Sequence, residues 1–260
     1  MSDAPILFNV EDMVGLITIN RPDNRNSMDS ETMPAFLEAI EQVKTDNELR
    51  CLIITGTGKS FCAGADFRNS PINMSGGLPH ENLMNTYGPF LKISEIKIPV
   101  IAAMNGHAIG GGFGLALICD IRIANRKAKY GANFAKLGIH TGMATSYMLP
   151  RIVGLPRANE LLLTGRLIDG LTAERIGLVN YALEGDQVLN KAREIAREIA
   201  SCAPVAVRMI KRSILRGISW DPISAAEIEA HYQSRTFEME DAREGITALL
   251  EKREPVFQGR

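Results

Sequence analysis

No apolar run in the sequence approaches the roughly 20 residues that a membrane-spanning helix needs, and the opening stretch MSDAPILFNVEDMVG lacks the basic segment followed by an apolar one that marks a secretory leader. A cytoplasmic protein with no membrane partner is therefore expected. Cysteine is scarce: Cys51, Cys62, Cys119 and Cys202 are widely spaced and form neither a C-x-x-C pair nor a His/Cys cluster, so zinc and thioredoxin-like redox chemistry lack support and no metal site is expected. Charge of one sign is lacking too. Lys plus Arg total 29 against 30 Asp plus Glu, with no dense basic run, so nucleic acid is not the expected partner. The chain has no G-x-G-x-x-G followed at the proper distance by an acidic residue and no Walker-type phosphate loop, which argues against a dinucleotide or nucleotide cofactor. Tandem repeats and low-complexity segments are also missing.

What is present is ordinary globular material: 260 residues, 45% of them apolar and 23% charged. That length suits one hydrophobic core with a smaller helical appendage. Ile6 to Val10 and Val14 to Ile19 read as a hairpin, and Met33, Phe36, Leu37, Ile40 and Val43 recur at helical spacing. Cys51 to Thr55 and Ile98 to Met104 are continuous apolar runs, as in strands buried on both faces. Residues 67–88 carry Pro71, Gly76, Gly77 and Pro79 and read as a loop, a pocket wall or lid. Strand and helix signals alternate to about residue 183, which predicts an α/β fold. From Asp186 the pattern is helical, with breaks near Pro204 and Asp221-Pro222.

Two glycine-bearing segments, Ser60 to Asp66 and Asn105 to Gly112, each follow a buried-strand candidate. Glycine and alanine let a ligand approach the main chain closely, and a helix beginning in the second segment would present free N–H groups at its positive end. Two such donors at one carbonyl oxygen would stabilise the enolate or tetrahedral oxyanion of a thioester. Tight helix–strand packing at Gly110-Gly111-Gly112 is the other reading of the second segment.

These segments, with Ile19-Asn20-Arg21-Pro22 and Asn26, Pro99 through Gly112, Cys119-Asp120, Leu163-Thr164-Gly165, and Glu244-Gly245 with Glu251-Lys252-Arg253, make the sequence resemble the crotonase family, the enoyl-CoA hydratase/isomerase superfamily. The resemblance implies a ββα spiral over residues 1–200 and a C-terminal helical region, 201–260, that builds trimers and often hexamers from two trimers. It implies an acyl-CoA thioester as ligand, with no cofactor beyond the coenzyme A of the substrate. By the same match Ala65 and Gly111 hold the oxyanion-hole positions. Arg25 and Ser27 border the CoA nucleotide, and Ala63, Gly64, Asp66 and Phe67 follow its pantetheine and adenine. Lys252 and Arg253 are candidates for a CoA phosphate on a neighbouring subunit.

The resemblance breaks at the acid–base groups. The two glutamates by which hydratases of the family add water correspond to Gly114 and Phe134, and the nucleophilic aspartate of its dehalogenases corresponds to Gly142. Between Gly106 and Arg157 the sole acidic residue is Asp120, at a structural family position. Positioned acid–base groups contribute about 10²–10⁴-fold each, so ordinary hydration is expected to be slow or absent. His140 is the first candidate to replace them, as a proton shuttle or water-orienting group. His107 reads as structural. His80 and Glu81 are candidates to swing over the acyl group, and Tyr87 and Tyr147 to line its pocket or donate a hydrogen bond. Lyase, isomerase, decarboxylase and hydrolase variants stay open here, as does a non-catalytic CoA-thioester binding module.

Overall fold

The computed structural model describes residues 4–64 and 78–260. The chain begins with the expected hairpin of β1 (Ile6–Glu11) and β2 (Val14–Ile19), paired antiparallel from Ile6 opposite Ile19 to Glu11 opposite Val14. Asp12 and Met13 close it with φ of 50° and 63°, the left-handed pair that a two-residue turn matches to the strand twist. Next comes α1 (Thr32–Thr45), whose Phe36, Ala39, Ile40 and Val43 form its buried stripe.

Three turns of a spiral follow. The first runs through β3 (Cys51–Gly56), β4 (Ser60–Cys62) and α2 (Pro79–Leu91). The second is β5 (Val100–Met104), β6 (His107–Ile109) and α3 (Gly111–Ile118). The third is β7 (Ile121–Asn125) and β8 (Lys129–Gly131), then α4 (Thr145–Val153) and α5 (Leu155–Thr164). A short β9 (Ile168–Asp169), α6 (Gly170–Arg175) and β10 (Tyr181–Leu183) lead to α7 (Val188–Ala200). The chain ends with α8 (Pro204–Gly217), α9 (Pro222–Phe237) and α10 (Glu240–Glu251). Each turn gives one strand to a 6-stranded sheet ordered β1-β2-β3-β5-β7-β10 and one to a 4-stranded sheet ordered β4-β6-β8-β9. This is the α/β spiral that the resemblance implied.

The central strands of the large sheet are buried on both faces, as their unbroken apolar runs demanded. Leu52 and Ile54 of β3, with Val100, Ala102 and Met104 of β5, face the main core beside Phe36 and Ile40. Cys51, Ile53, Ile101 and Ala103 face the other way, onto Val188, Ala192, Ala196 and Ala200 of α7. Those four recur every fourth residue, and the three alanines let α7 lie close on the sheet. Beyond it, α8 is pinned by Lys211, which meets Asp120 at 2.7 Å and the Ile98 carbonyl at 2.8 Å. Asp120 also accepts the Val100 N–H at 2.7 Å, so this lone acidic residue of its region is structural.

One expectation needs correction. Residues 79–88, assigned above to a loop, belong to α2. Pro79 stands in the first turn, where its fixed φ suits a helix and its missing N–H costs nothing. The proline starts the element instead of breaking it.

The close α7 contact predicts that Ala196→Leu overpacks the interface and costs about 1–3 kcal/mol, read as a lower urea midpoint. An unchanged midpoint would mean that α7 does not lie tightly on the sheet.

Candidate active site

The site is assembled from main chain. After the Pro22–Asn24 turn, Arg25 and Asn26 take left-handed φ values of 61° and 57°. Asn26 is fully buried; its side chain accepts the Arg21 N–H at 2.8 Å and donates to the carbonyls of Thr57 and Ser60 at 2.9 and 2.7 Å. The same loop is bonded to the first glycine segment, since Ala63 N–H donates to Arg25 O at 3.1 Å and Met28 N–H to Gly64 O at 2.9 Å. Arg25 is exposed, whereas Ser27 is buried with its hydroxyl donated to Asn24 O at 2.8 Å.

The two glycine segments meet with no side chain between them. A β-carbon on Gly112 would come within 2.0 Å of Cys62 O, and one on Gly64 within 2.8 Å of Gly111 N. Gly110 closes the preceding strand with φ 57° and ψ −118°, and its own N–H goes to Gly131 O at 3.0 Å. The first bond of α3 runs from Gly114 N–H to Gly110 O at 3.1 Å. The Gly111 amide therefore stands among the first-turn donors that a helix cannot satisfy itself.

Beside it opens a cavity of about 640 Å³ whose walls include Ala63, Gly111, Phe134, His140 and Met143. Leu83, Tyr87 and Phe90 of α2 complete one side, so the part of the expected wall or lid segment that lies in α2 contributes a helical wall. No Asp or Glu is among the described residues that line it. The positions where carboxylates were sought are filled. The Phe134 ring stands 3.6 Å from where a Gly110 β-carbon would be, and a β-carbon on Gly114 would be 2.4 Å from Met143 Cβ. Met143 is buried and, like Ala144, holds a left-handed φ, 58° and 52°, at some cost in backbone strain. At Gly142 a β-carbon would lie 2.5 Å from the Tyr87 hydroxyl.

His140 lies on the cavity wall, exposed, with Nδ1 2.6 Å from Thr141 O. A carbonyl can only accept, so Nδ1 carries the proton and Nε2 of the neutral ring keeps its lone pair. Cys62, though next to the site, is no nucleophile at neutral pH, because full burial pushes its thiol up to about 12.

The remaining candidates divide. His107 is structural, its Nδ1 accepting the Lys129 N–H at 2.9 Å across the small sheet. Tyr147 is exposed under the Arg151 guanidinium, 3.5 Å from the ring centre, and is not part of the cavity wall, which corrects that expectation. His80 and Glu81 sit in the first turn of α2 and are not among the lining residues. Arg253 donates to both oxygens of Glu244, at 2.6 and 2.8 Å, and holds that carboxyl down at about 2. Lys252 caps α10 in left-handed conformation. Ala65, Asp66 and Phe67 lie outside the described residues. Among the described residues there is no cluster of three or more metal-ligating side chains, and no helix is long and apolar enough to cross a membrane.

A family model for enoyl-CoA hydratase/isomerase matches residues 9–260. The short-chain-enoyl-CoA hydratase of Clostridium acetobutylicum is 38% identical over 250 residues, 95% of each chain. The crotonyl-CoA hydratase of Syntrophomonas wolfei is 38% identical over 258 residues, 99% of each. The crystal structure of an enoyl-CoA hydratase from Bacillus anthracis superposes with a TM-score of 0.93 at 34% identity, covering 98% of this chain and 100% of that one.

The contact at Gly114 makes a double-mutant prediction. Gly114→Ala should cost about 1–3 kcal/mol by overpacking, and combining it with Met143→Gly should recover about 1 kcal/mol or more relative to the sum of the single changes. Strict additivity in urea unfolding would show that the two residues do not compete for the same space.

Proposed function

This chain belongs to the enoyl-CoA hydratase/isomerase family, and from that premise we propose that it is an acyl-CoA enzyme that works through a thioester enolate or oxyanion without a carboxylate pair. The observation that carries this reading is the Gly111 amide, standing at the open end of α3 beside an apolar cavity whose described wall has no carboxylate. In this reading the thioester oxygen takes hydrogen bonds from Gly111 N–H and from the N–H of Ala65, the residue bonded to Gly64. The coenzyme A passes Arg25, Ser27, Ala63, Gly64, Asp66 and Phe67, and the acyl group enters the cavity. Each donor of such a pair is worth about 10²–10³-fold in rate, because it is already oriented where negative charge develops.

What the oxyanion hole cannot do is move protons. Water addition needs a base for the water and an acid for the α-carbon, and positions 114 and 134 offer neither. Loss of CO₂ from a thioester bearing a β-carboxylate asks for less. The electron pair of the breaking C–C bond becomes that of the enolate, CO₂ departs, and the α-carbon then takes one proton. His140, on the cavity wall, is the group assigned to give it. No cofactor beyond the substrate's coenzyme A is required.

The same reading divides the chain into a catalytic spiral, 1–200, and an assembly region, 201–260, that forms trimers or pairs of trimers. Ile214, Leu249 and Leu250, exposed by 64%, 77% and 78%, support it, because apolar side chains so placed are suited to an interface.

A mass-spectrometric assay should detect CO₂ loss from malonyl-type CoA esters and little hydration of crotonyl-CoA. Gly111→Pro removes the amide at a helix position where proline is tolerated, and should lower turnover about 10²–10³-fold while the protein stays folded. Hydration of crotonyl-CoA at rates ordinary for a hydratase would overturn the proposal, as would inertness toward every thioester tried.

A further inference from the structure

The cavity is apolar except for a few side chains, and its hydroxyls are not equivalent. Thr86 donates to Asn82 O of its own helix at 3.0 Å, and the Thr141 hydroxyl, itself without a partner among the described residues, is sealed from solvent. Tyr87, half-buried on the wall, makes no hydrogen bond with any described residue. Its tip lies against the backbone of Gly142. Its Oη, Cζ and Cε1 would lie 2.5, 2.8 and 3.2 Å from a β-carbon on Gly142, so the phenol tip occupies the space that a side chain at 142 would fill. Gly142 adjoins Met143, and Met143 abuts Gly114, three residues along α3 from Gly111. Three helical residues rise about 4.5 Å, a span that the first few carbons of an acyl chain cover.

A phenol in a mostly apolar cavity without a protein partner is suited to an acceptor that arrives with the ligand. A plain hydrocarbon chain would strip water from the hydroxyl and return nothing. Sites built around one hydrogen bond discriminate strongly for that reason. We propose that Tyr87 is a specificity-determining residue, donating its O–H to an oxo or carboxylate oxygen carried near the β-carbon of the acyl group. The substrate class is then an acyl-CoA with a β-acceptor, in place of a simple alkyl or enoyl ester. This rests on the reading that the thioester lies at Gly111, and it adds to that reading the chemistry of the acyl end.

The test is calorimetric binding of acetoacetyl-CoA, 3-oxohexanoyl-CoA and butyryl-CoA, none of which can lose CO₂, to the wild-type protein, to Tyr87→Phe and to Gly142→Ala. Tyr87→Phe keeps the ring and removes the donor. Gly142→Ala keeps the donor and pushes it aside. Wild type should bind at least one of the two acceptor-bearing esters about tenfold or more tightly than butyryl-CoA. Tyr87→Phe should bring it within about twofold of butyryl-CoA, whose own affinity should not change, and Gly142→Ala should give the same loss should the first variant not fold. Equal binding of all three esters by wild type, or a preference that survives Tyr87→Phe, overturns the assignment of Tyr87 alone. Failure of every ester to bind wild type overturns the thioester reading itself, and the assignment with it.

Discussion

The site depends on a backbone-to-backbone contact between successive turns of the spiral. A β-carbon on Gly106 would stand 2.1 Å from Lys59 O, and one on Gly112 2.0 Å from Cys62 O. No side chain fits at that separation, so the second turn can lie on the first only through glycine. Three things follow from this contact. The short strands β4 and β6 pair in parallel despite an irregular register between Ser60 and Cys62; α3 begins directly at the junction; and its first amide is delivered to the cavity. Tight packing, one of the two readings of the triple glycine, belongs to Gly112 and leaves Gly111 at the cavity. Gly112 meets the neighbouring turn, while Gly111 lines the cavity.

The legible parts of the fold were those whose burial left a periodic or unbroken apolar pattern. The hairpin, α1, β3, β5 and the C-terminal helices with their breaks at Pro204 and Pro222 all carry it. In α2 the equivalent signal, Leu83, Tyr87 and Phe90 at helical spacing, follows Pro71, Gly76, Gly77 and Pro79, and that punctuation outweighed it. The candidate site was legible in its glycines and in the identities at positions 114, 134 and 142. What fills those positions was not. Met143 reaches Gly114 only because it and Ala144 adopt left-handed backbone, which neither residue type announces, and Tyr87 meets Gly142 from a separate helix. Tyr147, close to them in sequence, turns outward to Arg151. Sequence proximity misleads where a loop reverses.

The replacements at 114 and 142 are coupled to their surroundings. A carboxylate at 114 would need Met143 to leave the space it fills, and a side chain at 142 would need Tyr87 to move. Adding an acidic residue to this framework therefore disturbs the loop from Gly142 to Thr145, whose backbone strain is held by the burial of Met143 and Thr145. The absence of an acidic side chain at 114 and at 142 is therefore built into the packing.

Electrostatics gives that packing a chemical direction. In an apolar cavity the charge at a thioester oxygen is screened little, so its stability depends on the few groups nearby. The amide at the start of α3 favours the anion, and a pair of carboxylates in the same cavity would oppose it while serving as bases. The described wall has no Asp or Glu, so both the opposing charges and the bases are missing from it. On the proposed reading such a site would hold an enolate, and its described wall offers no carboxylate to generate one by pulling a proton from carbon. Substrates that bring their own electron pair suit it, and a carboxylate that leaves as CO₂ is one of them. The surrounding apolar walls favour that departure further, because they disfavour the charged carboxylate more than the neutral product.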